Sequence, residues 1–293
     1  MSKILITGAT GHLGKRTIEF LLKSGMAANE ISALVRDAGK SADLEKRGLN
    51  INVGNYNDYA SLLKAFTGVE KLLFVSSSDV PNRIAQHQNV VKAAVEAGVK
   101  HIIYTGALNN TPIENSAIAF VTEAHTKTEE WLAASGLPYT FMKNNLYLDL
   151  IPQFIGENVL ETGKIFLPAG TGKTAFTLRS EMAEAAAIIL ASEGHEGKSY
   201  NMTNREAYTY QNVADALTEI TGTKINYVSP SGEEFMAALK NAGLPEEMIS
   251  GFLAFALAQA QDEFNITSYD LEQLLGRRPT TLHEYLTSVY GNK

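Results

Sequence analysis

A doubly wound parallel α/β sheet is the fold class this 293-residue sequence predicts, with a smaller C-terminal α/β part attached. Three observations carry the prediction. The aliphatic run Ile4–Leu5–Ile6 ends in a glycine-rich turn and is followed by a long amphipathic segment. Further short aliphatic runs then alternate with helical patterns as far as Asn145. Those runs are nearly continuous in apolar residues, as in strands buried on both faces.

The first element is KILITGATGHLG, from Lys3 to Gly14. It reads as a buried strand, a tight turn and the opening of a helix that continues through KRTIEFLLKSG. Gly8 permits the turn, Gly11 leaves room for a diphosphate beside the backbone, and Gly14 lets strand and helix close on each other. Backbone amides at the helix N-terminus then face an anion. Placed between strand and helix, the G-x-x-G-x-x-G spacing predicts a dinucleotide site of the Rossmann type.

The remaining strands follow in order. EISALVR (30–36) is the second and LNINVGNYND (49–58) the third, with YASLLKAFTG as the helix after it. KLLFVSSS (71–78) is the fourth, and a helix follows through IAQHQNVVKAAVEAGV. KHIIYTGA (100–107) is the fifth, ENSAIAFVTEAHTKTEEWLAASG a long helix, and YTFMKNN (139–145) the sixth strand. This rhythm predicts a parallel sheet covered on both faces, and assigns residues 1–150 to a dinucleotide-binding domain. Beyond Asp149 the pattern loosens into GKIFLPAGTGKTAFTLRS, and two helical stretches, EMAEAAAIILASEG and QNVADALTEITG, flank a short strand KSYNMT. Residues 151–293 are predicted to form a smaller substrate-covering part interleaved with the sheet.

Composition excludes several classes. The chain has no cysteine, so disulfides and thiolate metal sites are ruled out. No histidine–carboxylate spacing suggests another metal site. The start MSKILITG lacks a basic segment followed by an apolar one, and no apolar run reaches the ~18 residues of a membrane span. A net charge of −7 without a basic block argues against nucleic acid. A cytoplasmic enzyme without membrane attachment is the expectation. Ser76–Ser78 lack a G-x-S-x-G elbow, which argues against hydrolysis.

The end of the second strand selects the cofactor. An acidic residue there binds ribose hydroxyls, whereas an arginine accommodates a 2′-phosphate. Here the strand ends in Arg36, with Asp37 one position too late for the ribose. The guanidinium fork suits a phosphate, so NADP(H) is expected over NAD(H), with Lys40 and His12 as weaker candidates for the same contact.

TGATGHLG, LVRD, GNYND, VEKLLFVSSS, QHQNVVKAAVEAGVKHIIYTG, PYTFMKNNLY and EGHEGKSYN occur in this order. Together they resemble the NmrA-like branch of the atypical short-chain dehydrogenase/reductases, and within it the bacterial type-2 NAD(P)H:quinone oxidoreductases and the triphenylmethane reductases. The resemblance runs from Ile4 to about Tyr285. It implies an NADPH-binding fold and reduction of a small-molecule acceptor, a quinone or a conjugated cationic dye, without flavin or metal; it leaves a homodimer open. The family's cofactor contacts fall on Gly8, Thr10, Gly11, His12, Leu13, Gly14 and Arg36, on Ser76, Ser77 and Ser78, and on Thr105. Where the family has Arg-Asn after the sixth strand, this chain has Lys143-Asn144. Asn144 is expected on the nicotinamide side, and Tyr147 matches the aromatic residue that follows. Asn55 replaces an aspartate common in relatives.

The resemblance also marks a gap. Standard members carry Tyr-x-x-x-Lys on the helix after the fifth strand, where the tyrosine gives a proton and the lysine lowers its pKa. Here, aligning Glu129 with the acid that follows the motif puts Val121 in the tyrosine slot and His125 in the lysine slot. No tyrosine lies between Tyr104 and Tyr139. General acid–base help contributes ~10²–10⁴-fold, so its absence favours an electrophilic, easily reduced acceptor over an alcohol, ketone or sugar. His125, with an ordinary imidazole pKa near ~6.5, is expected to shuttle a proton or hold the ribose; His125, Asn144 and Tyr147 are thus the candidate catalytic residues. His87 is expected to face the cofactor, His101 to precede a strand, and His195 and His283 to lie in surface turns or helices. Two other functions compete: a dinucleotide sensor acting through a protein partner, and a reductase of another activated double bond, such as an azo dye.

Overall fold

A computed structural model describes residues 3–109 and 111–291. Met1 and Ser2, which open the segment read above for a leader, lie outside the described residues, as do Asn292 and Lys293 of the predicted C-terminal part. The strands are β1 (Ile4–Ile6), β2 (Ile31–Val35), β3 (Asn50–Val53), β4 (Lys71–Val75), β5 (His101–Ala107), β6 (Tyr139–Asn144), β7 (Lys164–Phe166), β8 (Lys198–Met202) and β9 (Asn226–Val228). Seven of them form one parallel sheet in the order β3-β2-β1-β4-β5-β6-β8. Chain direction across the sheet reverses between β1 and β4, and such a switch point opens a crevice at the carboxyl ends of the strands.

The period-two alternation of each strand builds the two layers. Ile4, Ile6, Ala33, Val35, Leu73, Ile103 and Met142 face one core, which helix α1 (His12–Lys23) and the helix Arg179–Ala191 cover. Leu5, Leu34, Leu72, Phe74, Ile102, Tyr104 and Phe141 face the other. Helices α3 (Tyr59–Phe66), α4 (Arg83–Glu96) and α5 (Ala119–Ala134) cover that side; the short α2 (Ala42–Lys46) sends Leu44 into the first core. The small side chains Ala183, Ala185, Ala186 and Ala187 let the helix Arg179–Ala191 lie against α1 and the sheet. A third core gathers residues of the C-terminal part around the parallel pair β7–β9.

Several bounds differ from the sequence reading, for local reasons. The third strand stops at Val53 because Asn55 Oδ1 accepts from the Asn57 amide at 3.0 Å and Asp58 caps Ser61 at 3.1 Å. The fourth stops at Val75, where the Ser76 amide leaves the ladder for Thr105 Oγ1, 2.9 Å away. The long helix starts at Ala119 rather than near Glu114, because Glu263 captures Ser116 Oγ at 2.6 Å and the Ala117 amide at 2.8 Å. KSYNMT is the seventh strand of the main sheet, parallel to β6. No helix among the described residues is long and apolar enough to cross a membrane.

Candidate active site

The carboxyl ends of β1, β2, β4, β5 and β6 bring most of the predicted positions to one edge. After β1, Gly8 adopts φ +59°, a left-handed conformation that only glycine takes without strain. Its carbonyl accepts from the Gly11 amide at 2.9 Å. A Cβ on Gly14 would stand 2.4 Å from Gly8 O, so strand, turn and helix touch through bare backbone there. Gly8, Thr10, Gly11 and His12 are exposed, while Leu13 and Gly14 are buried. No side chain caps the N-terminus of α1, which leaves its first amides free toward the crevice.

Arg36 stands exposed at the end of β2 and makes no ion pair among the described residues. Lys40 is likewise exposed, and Asp37 turns its carboxylate back to the Gly39 amide at 2.8 Å. Asn55 is exposed after β3. Beside it, the Tyr56 hydroxyl bonds the carbonyl of Val75 at 2.7 Å, pinning the third strand's loop across the switch point.

The serine loop after β4 is held from beneath. Ser77 Oγ donates to Gln86 Oε1 at 2.5 Å, and the Ser77 amide donates to His87 Nε2 at 3.0 Å. That acceptor role puts the ring proton on Nδ1, 2.8 Å from Thr128 Oγ1. His87 is fully buried, so it supports the loop from the core instead of facing the crevice as expected. Thr105 is buried and receives the Ser76 amide. Ser78 remains exposed.

His125 differs most from its expectation. It is buried on α5, and its Nδ1 lies 2.7 Å from the Tyr104 hydroxyl. Burial, reinforced by the positive charge of Arg83, pushes its pKa down to about 3. The same two causes, together with His125 itself, push His87 down to about 3. Both rings are neutral near pH 7, and the ordinary imidazole titration assumed from sequence does not hold. Burial raises the Tyr104 phenol beyond its usual range. Of the other histidines, His101 opens β5 and is buried against Thr140 at 2.8 Å; His195 lies in a turn and His283 on an exposed helical face.

At the end of β6, Lys143 Nζ pairs with Glu129 Oε2 of α5 at 3.2 Å. Asn144 is buried, and its Oδ1 has no hydrogen-bond partner among the described residues. Tyr147 lies under the Arg179 guanidinium, 5.4 Å from ring centroid to Cζ. Burial raises its phenol pKa, opposed by a hydrogen bond with Asn144 and by the charges of Arg179 and Arg83.

Two residues that the sequence did not mark as candidates belong to this group. Tyr104 supplies a phenol next to His125 from the neighbouring strand. Arg83, the first residue of α4, is buried, and its Nε and Nη1 have no hydrogen-bond partner among the described residues. The only sequence signal for it was a lone cation just ahead of a predicted helix. A cleft of about 510 Å³ lined by Tyr59, Lys92, Glu96 and Trp131 shares no residue with this edge. No metal-ligating cluster occurs among the described residues.

Comparison with known proteins gives concordant results. The NmrA-like family profile matches residues 1–287. Quinone oxidoreductase 2 of Escherichia coli (strain K12) is 37% identical over 290 residues, covering 98% of this chain and 99% of that protein. The NADPH complex of the E. coli NADPH-dependent quinone oxidoreductase superposes with a TM-score of 0.91 at 37% identity, covering 98% of this chain and 99% of the other. The NADP(H) complex of Citrobacter sp. triphenylmethane reductase gives 0.90 at 39% identity with the same coverage.

Proposed function

The chain belongs to the NmrA-like family, and on that premise we propose that it is an NADPH-dependent reductase that passes hydride directly to a quinone or a conjugated dye, without flavin or metal. The open glycine cradle, with Gly11 exposed in it, and the uncapped amides of α1 fit a diphosphate. The unpaired Arg36 fits the 2′-phosphate that distinguishes NADPH from NADH. Ser76, Ser77, Ser78, Thr105, Lys143 and Asn144 line the way from there to the nicotinamide end. The bound nicotinamide supplies the hydride; the protein supplies position and charge.

One observation carries the choice of acceptor class. The Tyr104–His125 pair beside the site holds no proton that is released readily near pH 7, because burial keeps the imidazole neutral and the phenol protonated. Such a site suits an acceptor electrophilic enough to take hydride before any proton arrives, and suits a simple ketone poorly. The test is steady-state turnover of purified protein with NADPH and a panel of acceptors. NADPH consumption with 1,4-benzoquinone and little with cyclohexanone is expected. Comparable rates for the two contradict the acceptor class. Tight NADPH binding with no consumption by any acceptor points to a dinucleotide sensor instead.

A further inference from the structure

Arg83 combines three features that stability does not explain. It is only 7% exposed, yet it makes no ion pair and leaves Nε and Nη1 without partners among the described residues. It occupies the first position of a 14-residue helix, the end where the backbone field disfavours a cation. The carboxylate whose charge acts on it, Asp79, is already engaged by Asn82 at 3.1 Å and by Gln86 at 2.9 Å. A buried guanidinium with unmade hydrogen bonds is costly, and a cost kept beside a crevice points to a ligand that offsets it.

The groups that feel the charge of Arg83 show which part of the molecule it stands in. Its field reaches the hydroxyls of Tyr104 and Tyr147 and the rings of His87 and His125. Asn144 Oδ1, the buried acceptor without a partner, sits beside the same Tyr147. A buried cation with unmade donors, on the helix after β4, and an unmade acceptor at the end of β6 are therefore both coupled to one tyrosine, on the side of the crevice away from Arg36. The glycine cradle that suits the diphosphate lies on β1 and α1.

Resting on the reductase reading above, we infer that Arg83 binds the anionic oxygen of the reduced acceptor, which makes this a carbonyl-type, quinone-selective site that disfavours cationic dyes. The balance of the reaction gives the reason. NADPH and a quinone give NADP⁺ and a hydroquinone monoanion; the two electrons and the proton of the hydride enter the quinone, and water later supplies the second proton. Negative charge thus develops on an oxygen as hydride arrives, and a preorganised cation in a water-poor site stabilises that change. With both neighbouring imidazoles neutral, Arg83 meets the oxygen with charge and hydrogen bonds but transfers no proton. A triphenylmethane cation moves the opposite way: it enters positive and becomes neutral on taking hydride. Arg83 repels it on entry and gains nothing in its transition state.

The shared chemistry is an anionic oxygen, and the cofactor's phosphates are its other source, so the test separates the two. Protein saturated with NADP⁺ is titrated with 4-nitrophenol below and above the phenol's own pKa, binding being read from the ligand's absorbance. Wild type is expected to hold the phenolate at least ~10-fold more tightly than the neutral phenol, the range of a charge-assisted hydrogen bond. Equal affinities overturn the proposal, and this arm needs no variant to fold. In Arg83→Met the preference disappears, kcat/KM for 1,4-benzoquinone falls ~10-fold or more, and kcat/KM for a cationic triphenylmethane dye holds or rises, with NADPH affinity unchanged. Parallel loss of NADPH affinity and of both acceptors assigns Arg83 to the cofactor and overturns the proposal. Failure of the reductase reading would look different: wild type would consume no NADPH with any acceptor, whatever its phenolate affinity.

Discussion

The Nδ1 of His125 sits 2.7 Å from the hydroxyl of Tyr104, a helix residue and a strand residue joined across the core beside the candidate site. The pair has the residue types of a proton relay but not its energetics, since burial drives the imidazole down and the phenol up. His125→Phe is therefore expected to leave the pH profile of kcat without a lost limb near pH 6.5. If His125 delivered the proton, wild-type kcat would fall as pH rose through that value, and the variant would flatten the fall. Steady-state profiles of the two proteins with 1,4-benzoquinone decide between these outcomes.

The same burial makes a stability prediction. His87 and His125 have folded pKa values of about 3 against 6.5 for the free side chain. As pH falls below 6.5, the unfolded chain takes up protons that the folded chain refuses. Their stabilising contribution is complete above that pH and is lost progressively toward pH 3, each histidine adding at most about 1.4 kcal/mol per pH unit. Urea melts of wild type and His87→Gln at falling pH test this. The variant should lose stability less steeply than wild type; parallel slopes contradict the buried, neutral assignment.

Arg36→Ala should weaken NADPH by roughly 10- to 100-fold and leave NADH nearly unchanged, because only the former carries the 2′-phosphate. Fluorescence titration with both cofactors measures the ratio. Equal weakening of the two would give Arg36 another task.

The glycine loop separates binding from folding. A Cβ on Gly11 meets only Gly8 O, at 3.2 Å, whereas one on Gly14 meets Gly8 O at 2.4 Å and Gly8 C at 2.8 Å. Gly11→Val should abolish NADPH binding with thermal stability largely retained. Gly14→Ala should cost about 1–3 kcal/mol, since backbone must move to admit the methyl group. Denaturant melts and cofactor titrations on both variants check the contrast.

The legible parts of the molecule were those written in local periodicity. Ile4–Ile6 with the three glycines after it, and the aliphatic runs at 71–75 and 101–107, specified the strand–turn–helix order without tertiary information. What escaped was burial imposed by distant chain. Arg83 reads locally as a cation ahead of a helix; its burial, within range of Tyr104 and Tyr147, is set by chain far from it in sequence. His125 reads as a titrating imidazole, and its neutrality comes from burial and from the charge of Arg83. EMAEAAAIILASEG reads as a helical stretch, but its return to lie on α1 is not written in it.

The reductase reading turns on direct hydride transfer from bound NADPH to an electrophilic acceptor. Single-turnover mixing of NADPH-loaded protein with 1,4-benzoquinone, followed by loss of the reduced nicotinamide absorbance, tests it most directly when NADPH deuterated at the transferred position of nicotinamide C4 is compared with the unlabelled cofactor. Decay far faster than in the same mixture without protein, and slower with the deuterated cofactor, is expected. Decay at the protein-free rate, or acceleration that deuterium leaves unchanged, would contradict it.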